Sequence, residues 1–163
     1  RRERTRREAR ILNTLKVIGI KAPYILDIDV SRHTIEMTRI DGRNLRDIFD
    51  LLTDNERKII DEKIGRYIAM MHTKLISHGD LTTSNIIYDG RDIYFIDPSM
   101  GEMNSKVEEL GTDLHLLKES FLSAHPGHMD DFEMILESYL KHYPEGIVNV
   151  ERMREIEGRR RYS

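Results

Sequence analysis

Apolar residues at Ala9, Ile11, Leu12, Leu15 and Ile18 recur at mostly helical spacing and are followed by Gly19, which predicts a first helix over residues 1–18. Residues 24–30 and 34–38 are β-type runs separated by Ser31-Arg32-His33, and predict two strands joined by a turn. Ile40-Asp41-Gly42 is a connector, and a short apolar helix follows near 45–52. Thr53 or Asp54 can cap a long helix whose inward stripe is Ile59, Ile60, Ile64, Ile68, Met71 and Leu75. Ile86-Ile87-Tyr88 and Ile93-Tyr94-Phe95-Ile96 flank Asp89-Gly90, a strong hairpin signal. Three helices are expected after that, near 105–123, 128–142 and 148–160, with Pro126 and Pro144 between them. The middle one should turn Phe132, Ile135, Leu136, Tyr139 and Leu140 inward. No internal repeat interrupts this order.

Composition narrows the function classes. A net charge of −3 with 34% charged residues argues against a surface that coats nucleic acid through a general positive field, so any RNA contact must be local. The absence of cysteine excludes disulfides, thiolate zinc sites and a cysteine nucleophile. No apolar run approaches the ~18 residues that span a bilayer, and the Arg-rich start is unlike a signal peptide, so no membrane role is expected and a cytoplasmic location is. The sequence opens on Arg1 rather than Met, and further residues are expected upstream.

Candidate chemistry lies in Ile76-Ser77-His78-Gly79-Asp80-Leu81-Thr82-Thr83-Ser84-Asn85, followed beyond the hairpin by Phe95-Ile96-Asp97. The hairpin should fold Asp80, Asn85 and Asp97 onto one side. Phosphoryl transfer needs such a group, because its catalysis is mostly positioning and charge neutralisation. One carboxylate, Asp80, suits the orientation of a water or hydroxyl. Asn85 and Asp97 offer the hard oxygens that Mg²⁺ prefers.

These residues resemble the catalytic loop of the protein-kinase fold, with His78-Gly79-Asp80 in place of His-Arg-Asp. The resemblance implies an α+β, protein-kinase-like fold that binds ATP and Mg²⁺, with a partial N-lobe at 1–39 and an α-rich C-lobe at 40–163. Asp80 would be the catalytic residue, and Asn85 and Asp97 the metal ligands. Glu8 is a candidate for the glutamate that pairs with a phosphate-binding lysine, weighed equally against an exposed, salt-bridged glutamate. The Gly-rich loop and that lysine would lie upstream of Arg1. Residues 35–42 occupy the hinge position, which makes the backbone of Glu36 and Thr38 candidates for adenine; Met37 is more simply a core methionine. His78 is better read as a loop-bracing histidine than as a base. Asp113 is by default a solvated helix residue, but an acid in that helix of kinases braces the catalytic loop's backbone, so a structural role is the better reading. Asp89 and Asp92 are most simply turn formers.

Two departures sharpen the resemblance. Asp97 is followed by Pro98-Ser99 rather than Phe-Gly, and proline fixes φ, so in-and-out switching of this motif is not expected. The stretch before the next helix leaves no room for a long activation segment, which argues against a typical peptide kinase. Together with Glu3-Arg4-Thr5-Arg6-Arg7-Glu8-Ala9-Arg10, Ser123-Ala124-His125-Pro126 and the Arg-rich end 157–163, the chain is similar to the small atypical kinase subunit of the KEOPS complex. That resemblance implies an ATPase or Ser/Thr autokinase supporting threonylcarbamoyladenosine formation on tRNA. Its implied partners are a threonylcarbamoyltransferase, separate or fused in one polypeptide, and a small regulatory KEOPS subunit. Arg159, Arg160 and Arg161, in a tail without a structural signal, become candidates for a tRNA contact. Two other classes compete: a small-molecule phosphotransferase of the aminoglycoside or choline kinase type, which would need a helical insertion after Asp97, and a non-catalytic kinase-fold scaffold.

Overall fold

The computed structural model describes residues 1–161; Tyr162 and Ser163 of the Arg-rich end lie outside them. Helix α1 (Arg2–Val17) buries Ala9, Ile11, Leu12 and Leu15, the spacing its sequence predicts. Antiparallel strands β1 (Ile25–Asp29) and β2 (Thr34–Met37) follow, with a bulge between Ile25 and Asp27. Their turn is set by Asp29, whose Oδ1 accepts the Ser31 and Arg32 amides over 2.9 and 3.1 Å.

Two residues of the expected connector region form a strand, β3 (Arg43–Asn44), and the chain then enters α2 (Leu45–Ile48) and a 3₁₀ turn at Phe49–Leu51. Helix α3 (Asp54–Thr73) starts at a capping box: Thr53 Oγ1 accepts the Glu56 amide over 3.2 Å, and Glu56 Oε1 accepts the Thr53 amide over 3.1 Å. Such a cap contributes about 1 kcal/mol. Ile60, Ile64, Ile68 and Met71 are buried, each worth roughly 1.5–3 kcal/mol of apolar transfer. Two positions of the expected stripe face solvent. Ile59 is 58% exposed, because consecutive helical residues point about 100° apart and Ile60 holds the inward place. Leu75 is 45% exposed because α3 has ended; it sits at φ 57° and Ile76 is buried instead.

The hairpin β4 (Ile86–Tyr88) and β5 (Ile93–Phe95) pairs with β3 in a three-stranded antiparallel sheet of order β3-β4-β5. Asp89 and Asp92 form its turn, Asp89 Oδ1 accepting the Arg91 and Asp92 amides, while Asp92 also pairs with Lys21 and Lys63. Helices α4 (Val107–Ala124), α5 (Met129–His142) and α6 (Ile147–Arg161) complete the chain. Helix α5 crosses α3 at Gly65, where a Cβ would stand 2.4 Å from the Ile135 carbonyl oxygen, so the crossing requires glycine. In the same crossing Ser138 Oγ donates to Glu62 O over 2.7 Å.

Helix α6 lies on α4 through Glu108–Arg152 (2.8 Å) and Lys118–Glu157 (2.9 Å). Arg159 and Arg160 fall in the helix expected near 148–160, and α6 runs on to Arg161; against the reading of these arginines as a tail without a structural signal, Arg159 pairs with Glu108 at 2.8 Å. One continuous core joins Ile11, Leu12 and Leu15 of α1 to α3, β5, α4 and α5. Among the described residues no helix is long and apolar enough to cross a membrane.

Candidate active site

The loop between α3 and the 3₁₀ turn at Thr83–Asn85 is held from beneath by Asp113 of α4, which is fully buried. Its Oδ2 accepts the His78 amide and its Oδ1 the Gly79 amide, each over 2.9 Å. Oδ2 also accepts from His72 Nε2 at 2.9 Å. With that proton on Nε2, His72 Nδ1 is left to accept from the Tyr139 hydroxyl at 2.8 Å, and the Tyr139 oxygen in turn accepts Asn149 Nδ2 at 2.9 Å. A buried polar chain thus runs from α6 through α5 and α3 to the loop backbone.

His78 is fully buried and engages both ring nitrogens, one beyond the hairpin and one within its own loop. Nε2 donates to Ile96 O over 2.8 Å, and Nδ1 accepts the Asp80 amide over 3.1 Å. Burial pushes its pKa down, against the opposing pull of Asp113, the Ile96 carbonyl, Asp80 and Asp97. A neutral ring with one donor and one acceptor is what these partners require. Asp80 itself is exposed. Asn85 Nδ2 donates to Asp80 Oδ2 at 3.0 Å and to Asp80 O at 2.8 Å, which orients the carboxylate and leaves the amide oxygen of Asn85 outside both bonds. The Ile96 amide donates to Asn85 O over 3.0 Å, so the residue before Asp97 is tied to both Asn85 and His78.

Asp97 is exposed and sits at φ 56°, a left-handed conformation that Asp and Asn tolerate better than other non-glycine residues. The chain turns at once, Gly101 donating to Pro98 O over 3.0 Å, and folds back onto the loop that carries Asp80. Ser77 and Glu102 form an antiparallel bridge, their amides and carbonyls exchanging bonds of 3.0 and 3.3 Å. Gly79 (φ 88°) lies against this returning segment; a Cβ there would be 2.1 Å from the Met100 carbonyl carbon. Glycine in His78-Gly79-Asp80 is therefore the condition for the short segment to pack where it does.

Of the other candidates, Glu8 is half-buried on α1, and its pKa is raised by burial first and then by Asp97, with Arg4 pulling the other way. The like charge of Asp97 thus acts on Glu8 and disfavours its ionised form. Glu36 is exposed on β2 opposite Asp27. The Thr38 amide donates to Tyr24 O over 2.8 Å, so of its backbone pair only the carbonyl is open to a base. Thr38 and Ile40 line a cleft of about 410 Å³ with Lys16, Lys21 and Tyr24. Among the described residues no hydrogen bond or ion pair joins Glu36 or Thr38 to Asp80, Asn85 or Asp97.

The donor set fits Mg²⁺ held by few protein atoms: the Asn85 amide oxygen and the exposed Asp97 carboxylate offer hard oxygens, and Mg²⁺ bound to a nucleotide takes its remaining ligands from water and phosphate. Among the described residues no group of three His, Cys, Asp or Glu side chains is placed to form a closed metal site. Sequence reasoning did not find His72, Tyr139 or Asn149 as supports of the loop, nor Thr83 and Asn44, whose Nδ2 donates to Ser84 O. The signal available was a cluster of polar residues at positions that otherwise belong to apolar helix faces.

Comparison with known proteins identifies the chain's family and fold. A sequence profile described as the RIO domain matches residues 1–123. The KEOPS complex subunit Bud32 of Pyrococcus abyssi is 40% identical over 165 aligned residues, covering 99% of this chain and 75% of that protein. A probable bifunctional tRNA threonylcarbamoyladenosine biosynthesis protein of Methanocaldococcus jannaschii is 37% identical, covering 99% of this chain and 29% of that longer protein. Its counterpart in Methanothermobacter thermautotrophicus is 38% identical, again with 29% of that protein covered. The chain thus spans under a third of the length of these bifunctional relatives. Among solved structures, WaaP in complex with acyl carrier protein has the same fold, with a TM-score of 0.70 over 94% of this chain and 76% of that one at 14% identity.

Proposed function

Because the chain belongs to the RIO-domain family, together with the KEOPS complex subunit Bud32, we propose that it is a Mg·ATP-dependent atypical kinase or ATPase supporting threonylcarbamoyladenosine modification of tRNA. The observation that carries this reading is the Asp80–Asn85 contact at 3.0 Å, tied through Ile96 to Asp97. Mg²⁺, when bound, supplies charge neutralisation on the nucleotide phosphates. Asn85 Oδ1 and the Asp97 carboxylate would hold it. Asp80, fixed by the Asn85 amide, would orient a water or hydroxyl and accept its proton. Glu8 and the Thr38 carbonyl are further candidates on the nucleotide side, and Glu36 is a candidate by strand position alone. The proposed lobe boundary is 39/40, in the segment that joins β2 to β3.

The bridge between Ser77 and Glu102 supports an ATPase or autokinase over a peptide kinase, since the segment on which a peptide would lie is packed against the loop. A threonylcarbamoyltransferase, separate or fused, and a small KEOPS subunit are the proposed partners, supported by the names of the bifunctional relatives. A tRNA contact at the end of α6 would have to accommodate the Arg159–Glu108 pair.

The test is ATP hydrolysis by the full-length protein in the presence of Mg²⁺. Asp80→Ala should lower kcat by about 100-fold or more while leaving the melting temperature close to that of the parent. Hydrolysis by the variant at the parental rate would remove Asp80 from the chemistry. Turnover of amino alcohols or aminoglycosides without self-phosphorylation or ATP hydrolysis would replace the whole reading with a small-molecule phosphotransferase.

A further inference from the structure

His125 follows α4 in the Ser123-Ala124-His125-Pro126 stretch, and its side chain is fully buried. Its ring stands among aromatic side chains, with centroids 5.1 Å from Phe49 and 5.3 Å from Phe121. Both nitrogens nevertheless have polar partners: Nδ1 meets Asp50 Oδ1 at 2.9 Å and Nε2 meets Thr83 Oγ1 at 3.0 Å. A carboxylate only accepts, so Nδ1 carries the proton and Nε2 accepts from the Thr83 hydroxyl. The order carboxylate, imidazole, hydroxyl is that of a nucleophile triad, but Thr83 is 0% exposed and no substrate can reach it. The chain ends inside the protein, on the backbone turn that carries Asn85.

That turn is gripped from several sides. The Thr83 amide donates to Ser120 Oγ at 3.3 Å, Asn44 Nδ2 donates to Ser84 O, and the Asn85 amide closes onto Thr82 O at 3.0 Å. Asn85 then orients Asp80. A hydrocarbon side chain at position 125 would fill a pocket lined by Phe49 and Phe121 without the desolvation cost of a buried imidazole, carboxylate contact and hydroxyl. What the polar chain adds is direction: a bond to Thr83 sets the turn's position, whereas apolar packing would let it slide.

We propose that His125 is a positioning residue for the phosphoryl-transfer site, acting through Thr83 on Asn85 and Asp80, with Asp50 fixing its tautomer. The proposal rests on the roles given above to Asp80 and Asn85. Losing the Thr83–His125 bond leaves the Asn44 and Ile96 contacts of the turn in place, so the turn shifts instead of unfolding. The effect should therefore appear in metal use and turnover before it appears in global stability.

Thr83→Val keeps the shape and removes the hydroxyl; Thr83→Ser restores it; Asp50→Ala, at a half-exposed site, frees the tautomer. In the full-length protein two quantities are measured well below the melting temperature: backbone amide exchange over residues 80–85, and the Mg²⁺ concentration for half-maximal ATP hydrolysis. In Thr83→Val the Ser84 and Asn85 amides should exchange about 10-fold faster or more, and kcat should fall about 10-fold with a raised Mg²⁺ requirement, within the ~100-fold that a 1 Å misplacement can cost. Thr83→Ser should recover both, and Asp50→Ala should move them the same way by less. If Thr83→Val only melts earlier, with exchange over 80–85 and Mg²⁺ requirement as in the parent, His125 is core packing and the proposal fails. If the parent hydrolyses no ATP, the functional reading fails, and amide exchange alone still decides whether His125 positions the turn.

Discussion

His78 donates its Nε2–H to the carbonyl of Ile96 over 2.8 Å, and Ile96 immediately precedes Asp97. Because Nδ1 of the same ring accepts the Asp80 amide at 3.1 Å, one imidazole fixes the distance between the two carboxylate-bearing loops. The ring must be neutral to do so, and burial holds its pKa below the usual histidine range. An unfolded histidine takes up a proton near pH 6.5, whereas folded His78 does so only at lower pH. Its contribution to stability is thus full above pH 6.5 and is lost as pH falls toward the depressed value. The melting temperature should drop between pH 7 and pH 5. In His78→Gln it should start lower and drop less; an equal drop in both proteins would show that another group is responsible.

Asp97→Asn separates charge from backbone shape. Asparagine accepts φ near 56° as readily as aspartate, so the turn into Pro98 should form and the melting temperature should stay near that of the parent. The loss of one anionic oxygen should raise the Mg²⁺ needed for half-maximal ATP hydrolysis by about 10-fold, the effect of roughly 1.4 kcal/mol. Titration of ATP hydrolysis against Mg²⁺ measures this directly, and an unchanged midpoint would take Asp97 out of the metal site.

How much of this was legible in the sequence depended on range. Asp80, Asn85 and Asp97 are within 17 positions of one another, and the Asp89-Gly90 turn between them announces the hairpin that brings them together. The helices were legible because each carries a buried stripe of several residues, such as Ile60, Ile64, Ile68 and Met71. By contrast, β3 is two residues long and has no period to detect. The supports of the loop come from elements far apart in the chain: Asp113 was legible only through the kinase resemblance, as the acid that braces the loop, whereas His72, Tyr139 and Asn149 are polar residues on helices, and nothing local separates a buried polar residue from a solvated one. Ile59 and Ile60 are chemically identical, and only the packing of α5 on α3 decides which of them is covered. The basic end misled for a similar reason, since the Glu108 that holds Arg159 is 51 residues away.

Tyr139 joins α5 to the loop's foundation. Its hydroxyl donates to His72 Nδ1 at 2.8 Å and accepts Asn149 Nδ2 at 2.9 Å, and burial raises its pKa far enough that it remains a donor at any ordinary pH. Tyr139→Phe keeps the ring and strands both partners in a dry interior. Each unpaired buried group costs about 1–3 kcal/mol, which for a chain of this size lowers the melting temperature by roughly 2–4 °C per kcal/mol. Thermal unfolding measures the loss. A variant that melts with the parent would mean that water takes the place of the hydroxyl and that the chain from α6 to Asp113 carries no strength.

Asp61 gives stability a dependence on pH opposite to that of His78. It lies on α3, fully buried, its carboxyl group sharing a hydrogen bond with that of Asp131. Burial first and the nearby Asp131 second push its pKa up to about 10, while Arg57 acts in the other direction. Asp131 is itself engaged with His128 at 3.3 Å and Arg57 at 3.7 Å, so the charge of this cluster is carried by Asp131 and Asp61 stays protonated. An unfolded aspartate ionises near pH 3.9. Between that value and about pH 10 the folded state holds a proton that the unfolded state has released, so stability must decline as pH rises through this window. The limiting slope is about 1.4 kcal/mol per pH unit for one proton. Asp61→Asn stays neutral at every pH and should therefore melt near the parent at pH 5 and above it at pH 9, where the parent has lost most. Melting curves at the two pH values decide the matter. A parent whose stability between pH 7 and pH 9 is as flat as that of Asp61→Asn would show that Asp61 ionises normally, and that α3 and α5 open enough there to admit water.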